Sequence, residues 1–250
     1  MRFEGKVAIV TGGARGMGAT HVRGLAAEGA RVAVCDVLDD EGEALAGELA
    51  HARYCHLDVT DEAQWRSVVR TVEDTLGPVD VLVNNAGIIH FGGVEEQSPE
   101  QFRQIIDINL VGAFLGMHTV LPGMRARGHG AVVNISSAAG LMGFADGIGY
   151  VASKWGVRGM TKAAALDVAG TGVRINSVHP GVIRTPMGER ASPERFARQP
   201  VARIGEPDEV TRMVLFLASD DASYTTGGEF AVDGGQTIGH VGHGHAADKA

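Results

Sequence analysis

The fold of this chain is decided by residues 7–18, which read VAIVTGGARGMG. The apolar run Val7 to Val10 predicts a buried strand, and the glycine-rich turn after it opens a helix. Gly12, Gly16 and Gly18 carry no Cβ that would keep the backbone away from a pyrophosphate, whose charge the helix N-terminus favours. Their spacing, G-x-x-x-G-x-G, departs from the G-x-G-x-x-G dinucleotide fingerprint. On this segment alone, a tight turn without a ligand therefore stays open.

Buried strands recur along the chain. Apolar, β-branched runs occur at 7–10, 32–34, 79–83, 131–135, 173–178 and 230–232, with a weaker run at 53–57. They lack regular alternation, which is typical of strands covered on both faces of a parallel sheet. Amphipathic stretches at 61–76, 99–127 and 149–169 predict helices, the second with Ser98 as cap and Pro99 at its first position. We expect one doubly wound, Rossmann-type α/β domain with a mostly parallel, seven-stranded sheet flanked by helices.

The domain is expected to span residues 1–238, without linker or internal repeat, and to be followed by a flexible tail, 239–250. The proline-containing segment 184–206 predicts a mobile substrate loop over the edge of the sheet. The tail contains His240, His243 and His245. Without carboxylate or cysteine partners at a fixed spacing, these histidines predict no metal site.

Composition narrows the class of protein. With 250 residues, 44% hydrophobic and 21% charged, the chain is typical of a globular protein, and we expect no apolar run long enough to span a bilayer. The N-terminus does not read as a secretion signal, so a cytoplasmic location is expected. A formal charge of −8 argues against a nucleic-acid partner. The only two cysteines, Cys35 and Cys55, lie in apolar runs and predict buried thiols rather than a disulfide.

Polar residues follow several predicted strands. Asp36 ends the second strand, twenty residues after Gly16, where a carboxylate accepts hydrogen bonds from adenosine ribose hydroxyls and repels a 2′-phosphate. It favours NAD over NADP, although Arg15, beside the glycine turn, could meet a 2′-phosphate. Asp58 is expected at the adenine edge, but turn chemistry explains it nearly as well. The segment 84–87 follows the fourth strand, where ligands gather in such sheets.

Tyr150 and Lys154 are four residues apart, and therefore share one face of a helix. The lysine charge is expected to lower the pKa of the phenol from about 10. Ser137, thirteen residues before Tyr150, offers a hydroxyl to hold a substrate oxygen. Ser136 is its rival. Adjacent residues of a strand point to opposite faces, so only one of the two serines can face the substrate. The set predicts proton transfer to or from a substrate oxygen.

Together the motifs resemble the short-chain dehydrogenase/reductase family over residues 6–235. The resemblance rests on Thr11 to Gly18, Asn84 to Gly87, Ser137, Tyr150, Lys154 and Pro180-Gly181. Within the family, segments 12–18, 57–60 and 222–227 are most similar to the bacterial 3α(or 20β)-hydroxysteroid dehydrogenases. The resemblance implies an NAD-dependent oxidoreductase that interconverts a secondary alcohol and a ketone. It also implies a homotetramer, with helices 99–127 and 149–169 expected to pack against their copies.

The resemblance also assigns site residues. It implies that the catalytic residues are Asn109, Ser137, Tyr150 and Lys154. It implies cofactor contacts at Gly12, Arg15, Gly16, Met17, Gly18, Asp36, Asp58, Val59, Asn85, Ala86, Gly87, Tyr150, Lys154, Pro180, Gly181, Ile183 and Thr185. By the same resemblance, Ser137 orients the carbonyl and Tyr150 is the acid/base. Lys154 binds the nicotinamide ribose, and Asn109 kinks a helix and holds a water linked to the lysine.

The substrate pocket is expected between segments 88–93, 141–147 and 182–202. Its apolar surface is expected from Leu141, Met142, Phe144, Met187 and Phe196. Such a lining suits a bulky, weakly polar substrate such as a hydroxysteroid, but equally a terpenoid or cyclic diketone. Alternatives are a 3-oxoacyl-carrier-protein reductase, disfavoured by Asp36, and a dinucleotide-binding sensor without turnover. His90, His118 and His179 read as packed or solvated residues rather than general bases.

Overall fold

A parallel sheet forms the centre of the fold. The computed structural model describes residues 1–188, 196 and 198–241. The strands are β1 (Val7–Thr11), β2 (Arg31–Asp36), β3 (Ala52–His56), β4 (Val81–Asn84), β5 (Gly130–Ile135), β6 (Val173–Pro180) and β7 (Glu229–Val232). They pair in the order β3-β2-β1-β4-β5-β6-β7, and all six of these pairings are parallel. The predicted doubly wound α/β fold is confirmed.

Helices cover both faces of the sheet. They are α1 (Gly16–Ala27), α2 (Asp39–Gly47), α3 (Glu62–Thr75), α4 (Pro99–Ile106), α5 (Gly112–Arg127), α6 (Ile148–Asp167) and α7 (Pro207–Ala218). Ala8 and Val10 pack into the apolar cluster that includes α1 and α7, whereas Val7 and Ile9 pack into the one that includes α3 and α5. All four side chains are fully buried. Burial on both faces explains why the strands read as continuous apolar runs.

The start of α4 follows the predicted capping pattern. The Ser98 hydroxyl accepts a hydrogen bond from the Gln101 backbone N–H at 3.2 Å, and the Gln101 side chain accepts one from the Ser98 N–H at 3.1 Å. Pro99 occupies the first turn, where its missing N–H leaves no intrahelical bond unmade. The prediction of this helix start is confirmed.

The stretch from Pro99 to Arg127 is helical throughout but not uniform. A five-residue π-helical segment, Asp107–Val111, separates α4 from α5. We expected no stretch long and apolar enough to span a membrane. Judged by length and composition alone, that expectation is wrong. Among the described residues this 29-residue helix meets both criteria, with a mean hydropathy of 1.5 over an 18-residue window, because residues 108–124 carry no formal charge. Met117, Val120 and Met124 of this helix are buried in the core, and core helices meet the same criteria.

Two further expectations concern the cysteines and the loop 184–206. Cys35 and Cys55 face each other across β2 and β3 as free, buried thiols, as predicted. The ends of loop 184–206 are held where the Arg184 N–H donates to the Gly205 carbonyl at 2.9 Å. Residues 189–195 and 197 lie outside the described residues, so the mobility of the loop stays a prediction.

The tail 239–250 was expected to be flexible, and the structure describes only its first three residues. The Val241 N–H donates to the carbonyl oxygen of Arg198 at 3.0 Å, so this bond ties residue 241 to the loop. Residues 242–250, including His243 and His245, lie outside the described residues. Among the residues that the structure describes, no group of three His, Cys, Asp or Glu side chains could hold a metal ion.

Candidate active site

A solvent-open cleft of about 1060 Å³ lies at the carboxyl ends of the central strands. Neighbouring strands β1 and β4 send their connections in opposite directions along the sheet, and such a switch point leaves a crevice for ligands. The predicted cofactor residues from the first half of the chain all line it: Gly12, Arg15, Gly16, Met17, Gly18, Asp36, Asp58, Val59, Asn85, Ala86 and Gly87.

The glycine turn is held by the end of β4. Gly12 has φ of +60°, and a Cβ there would lie 2.8 Å from the Ala86 Cα. A side chain at Gly18 would collide with the Gly12 carbonyl oxygen. The Asn85 amide donates to the carbonyl oxygens of Thr11 and Gly12, at 3.0 Å each. With no acidic residue in the first turn of α1, its N-terminus leaves the cleft attractive to a pyrophosphate. This cradle fits a dinucleotide.

Asp36 ties the end of β2 to the glycine turn. Its carboxylate accepts hydrogen bonds from the backbone N–H groups of Ala14, at 3.0 Å, and Val37, at 2.8 Å. The carboxylate is thereby fixed at the wall of the cleft. Asp58 is different, because one of its oxygens accepts from both the N–H and the hydroxyl of Thr60, at 2.9 and 2.8 Å. Turn chemistry accounts for that oxygen.

A second cleft of about 990 Å³, open on one side, adjoins the first. Met17, Thr185 and Met187 line both, so the two form one continuous groove. The second contains the remaining predicted contacts except Lys154: Tyr150, Pro180, Gly181, Ile183 and Thr185. Lys154 is buried behind the surface, with 4% exposure.

Tyr150 and Lys154 share one face of α6, as their spacing requires. The Lys154 ammonium donates to the Ile135 carbonyl oxygen at 2.9 Å and lies 5.5 Å from the centre of the Tyr150 ring. Burial lowers the pKa of Lys154 to about 8. Burial also raises the pKa of Tyr150, and hydrogen bonding with Ser137 opposes that rise. The expectation that the lysine lowers the phenol pKa below 10 is wrong for the protein alone, because desolvation of the phenolate outweighs the distant charge.

The two neighbouring serines have different surroundings. The Ser136 hydroxyl donates to the Lys154 backbone carbonyl at 2.9 Å and is buried. The Ser137 hydroxyl accepts from the Ala139 N–H at 3.1 Å and stands beside the phenol of Tyr150. Both serines line the second cleft, but the Ser136 hydroxyl is occupied by a backbone carbonyl, and Ser137 is the one that hydrogen-bonds the phenol.

Comparison with known proteins agrees with this geometry. Residues 12–237 match the family model described as enoyl-(acyl carrier protein) reductase. The chain is 50% identical to the 3-alpha-(or 20-beta)-hydroxysteroid dehydrogenase of Mycobacterium tuberculosis, over 95% of this chain and 92% of that one. The chain belongs to the short-chain dehydrogenase/reductase family.

Two further relatives support the assignment to the short-chain dehydrogenases/reductases. The chain is 46% identical to trans-4-hydroxycyclohexanecarboxylate dehydrogenase of Sinomonas cyclohexanicum, over 96% of this chain and 95% of the relative. The crystal structure of levodione reductase superposes with a TM-score of 0.90 at 38% identity, over 95% of this chain and 99% of that one. The predicted resemblance to the family and to its hydroxysteroid dehydrogenases is confirmed.

In this short-chain dehydrogenase/reductase, Asn109 lies in the π-helical segment and is 2% exposed. Its side-chain oxygen accepts from the Ile88 N–H at 2.8 Å, while its amide nitrogen donates to the Ile88 carbonyl at 3.0 Å and to the Ser153 hydroxyl at 3.1 Å. A Cβ on Gly87 would lie 3.2 Å from the Asn109 oxygen and 3.5 Å from the Lys154 nitrogen. Asn109 thus joins the loop after β4 to α6, a link that sequence spacing does not reveal.

Apolar side chains form the outer wall of the second cleft. Those that line it include Ile89, Phe91, Met142, Phe144 and Met187. The loops that carry the first four are joined by a hydrogen bond from the Gly92 N–H to the Asp146 carbonyl, at 3.0 Å. The prediction was wrong for Leu141 and Phe196. Neither lines the cleft, and Phe196 is buried, with 5% exposure.

None of the three histidines considered as general bases lines either cleft. His90 hydrogen-bonds Gln104 at 3.0 Å, and His118 stacks on Phe114 with ring centres 5.6 Å apart. His179 is fully buried on β6 behind Ser137. Composition and spacing gave no signal for that last contact, because it joins residues 42 positions apart.

Proposed function

We propose that this protein is an NAD(H)-dependent oxidoreductase that interconverts a secondary alcohol and a ketone, with Tyr150 as the acid/base. One observation carries the proposal: Ser137 and Tyr150 face a cleft that is continuous with the glycine-lined cleft. A dinucleotide in the glycine-lined cleft and a substrate in the second cleft would have the nicotinamide and the substrate oxygen close together. The intact pair of hydroxyls also argues against a sensor, which has no need of a proton donor.

Each side chain has a separate task in this proposal. When bound, the nicotinamide supplies or accepts the hydride. Ser137 donates a hydrogen bond to the substrate oxygen and orients it. Tyr150 gives its proton to that oxygen in reduction and removes it in oxidation, which is worth about 10²–10⁴-fold. Because burial raises its pKa, Tyr150 holds its proton at neutral pH and can act as the acid in reduction. Lys154 places a positive charge beside the ring, which favours the phenolate during oxidation.

NAD is preferred over NADP in this proposal because of Asp36. A fixed carboxylate at the wall of the adenosine end repels a 2′-phosphate and accepts hydrogen bonds from ribose hydroxyls. Arg15, an exposed residue that lines the same cleft, is the residue that could still attract the phosphate.

The proposed substrate is a bulky, apolar, cyclic alcohol or ketone such as a hydroxysteroid. The wall of Ile89, Phe91, Met142 and Phe144 supports it. The relatives are named for a hydroxysteroid, a hydroxycyclohexanecarboxylate and cyclopentanol, so a terpenoid or other cyclic alcohol remains an alternative. The name of the matching family model keeps an acyl-carrier-protein substrate as a further alternative.

We also propose a cytoplasmic homotetramer. Apolar side chains are exposed on α5 and α6, among them Phe114 at 49% and Trp155 at 44%, and such patches mark interfaces. Light scattering of the purified protein should give four times the chain mass, and Phe114→Glu should lower it. A monomeric wild type would contradict the tetramer.

The experiment that tests the function is a rate panel with NAD(H) and NADP(H) against cyclohexanol, a 3α-hydroxysteroid and an acetoacetyl thioester. We expect NAD-linked turnover of a cyclic alcohol and a loss of at least about 10²-fold in Tyr150→Phe. The dissociation constant for NADH, measured by fluorescence, should change less than about threefold. NADPH-linked turnover of the thioester alone would indicate the carrier-protein alternative. Cofactor binding without turnover would indicate a sensor.

A further inference from the structure

His179 makes two hydrogen bonds behind the second cleft. Its Nδ1 lies 3.0 Å from the backbone carbonyl oxygen of Ser137, and its Nε2 lies 2.9 Å from the hydroxyl oxygen of Ser177. The imidazole is fully buried. The same Ser137 carbonyl also accepts from the Gly140 N–H at 2.8 Å, which closes the short helical turn Ala138–Gly140. His179 is therefore one of two donors that fix the backbone of Ser137.

The partners determine the tautomer. A carbonyl oxygen only accepts, so the Nδ1 of His179 carries a proton. In the neutral ring, Nε2 then accepts from the Ser177 hydroxyl. The Ser177 oxygen also lies 3.2 Å from the Gly228 carbonyl, so that its hydrogen has a second acceptor if Nε2 becomes protonated. Both forms of the ring leave the bond to Ser137 unchanged.

Burial of the His179 ring favours its neutral form. Burial lowers its pKa most, and Arg158 and Lys154 on α6 lower it further. The bond to the Ser137 carbonyl and the charge of Glu229 on β7 act in the opposite direction. At neutral pH the ring is therefore a fixed, uncharged donor, rather than a base in the reaction.

We propose that His179 is a positioning residue that holds Ser137 in line with Tyr150 through the Ser137 carbonyl. The inference rests on the proposed function, in which Ser137 orients the substrate oxygen. It goes beyond that function because it makes catalysis depend on a side chain that contacts neither the substrate nor the cofactor cleft.

Three variants separate positioning from packing. His179→Asn keeps a donor where Nδ1 lies, His179→Gln moves the donor to the position of Nε2, and His179→Leu removes it. We expect kcat for alcohol oxidation to stay within about threefold in the Asn variant and to fall roughly tenfold in the other two. The dissociation constant for NADH should change less than about twofold in all three.

The pH profile supplies a readout that a packing role alone would not move. Hydrogen bonding with Ser137 lowers the pKa of Tyr150, so displacement of Ser137 should shift the rising limb of oxidation to higher pH. We expect this shift in His179→Gln and His179→Leu, and not in His179→Asn. Equal losses in the Asn and Gln variants, or no loss in either, would overturn the proposal. The Asn and Gln pair decides the matter even if the Leu variant does not fold.

Ser137→Ala, assayed in parallel, separates this inference from the function on which it rests. If Ser137→Ala keeps wild-type activity, the proposed role of Ser137 is wrong and the inference falls with it. If Ser137→Ala is impaired while His179→Gln is not, the positioning role alone is wrong.

Discussion

The Lys154 ammonium donates its hydrogen bond to the carbonyl oxygen of Ile135, at 2.9 Å, and lies 5.5 Å from the centre of the Tyr150 ring. It therefore acts on the phenol through space and not through a shared proton. Burial disfavours the charged form of both groups, so charging either one costs free energy. The buried charge of Lys154 therefore lowers the stability of the fold, while the proposed reaction makes use of that charge.

Lys154→Met should separate stability from activity. Burial lowers the folded pKa to about 8 from 10.5, so the unfolded chain binds more protons between these values. Burial of the charged Lys154 therefore destabilises the fold below pH 8, by up to about 3 kcal/mol. This destabilisation decreases as the pH rises from 8 to 10.5. At pH 7 the Met variant should melt at the same temperature as the wild type or higher, while its turnover falls at least about tenfold. The difference in Tm should shrink between pH 8 and 10, and Lys154→Arg is the matched control that keeps the charge.

Ser136→Ala and Ser137→Ala form a matched pair one residue apart. The Ser136 hydroxyl satisfies the buried Lys154 carbonyl, so its loss should lower the free energy of unfolding by about 1 kcal/mol with a small change in kcat. Ser137→Ala should lower kcat/KM at least about tenfold and leave Tm nearly unchanged. Thermal melts and steady-state rates of both variants test this, and a reversed pattern would assign the substrate oxygen to Ser136.

Asp36→Asn should relax the proposed preference for NAD over NADP. The change removes the negative charge and keeps the shape of the side chain, so the repulsion of a 2′-phosphate disappears. The ratio of kcat/KM for NADP to that for NAD should rise roughly tenfold to hundredfold. Asp58→Asn is the control and should leave the ratio unchanged. An unaltered ratio in Asp36→Asn would mean that Arg15 or the cleft shape sets the preference.

His21 should make the protein sensitive to acid. It is fully buried between α1 and α7, where its Nδ1 lies 2.7 Å from the Thr211 hydroxyl oxygen, and burial lowers its pKa to about 3 from 6.5. The unfolded chain binds more protons in that interval, so stability falls as the pH drops from 6.5 towards 3, by roughly 5 kcal/mol in total. His21→Asn keeps a partner for Thr211 without titrating, and its Tm should fall less between pH 6.5 and 4.5. The exposed His51→Asn should follow the wild type.

The sequence predicted the sheet well because its signal is local. Strands buried on both faces need unbroken apolar runs, and each predicted run coincides with a strand to within about two residues. The family resemblance implied a kink at Asn109, but no periodicity predicted the π-helical segment in which it lies or the bonds from Asn109 to Ile88 and Ser153. Those partners are 21 and 44 positions away, beyond the reach of any periodicity.

The same distinction holds in the candidate site. Spacing alone identified the shared face of Tyr150 and Lys154, and the family resemblance identified Ser137. The direction of the Tyr150 pKa shift could not be predicted from the spacing, because it depends on desolvation and on where the ammonium finds its acceptor. Leu141 was misassigned for a related reason: residue type does not say towards which side a loop turns its side chain.

The π-helical segment Asp107–Val111 also constrains how the enzyme can be re-engineered. A π turn accommodates one residue more than an α turn, so removing a residue there would let the helix regain regular backbone bonding. The same deletion would rotate everything on one side by about 100° relative to the other. Asn109 would then turn away from Ser153, and the regular helix would no longer be hydrogen-bonded to Ile88 at the wall of the cleft. The irregular helix at this point thus goes together with a hydrogen-bonded link between the loop after β4 and α6.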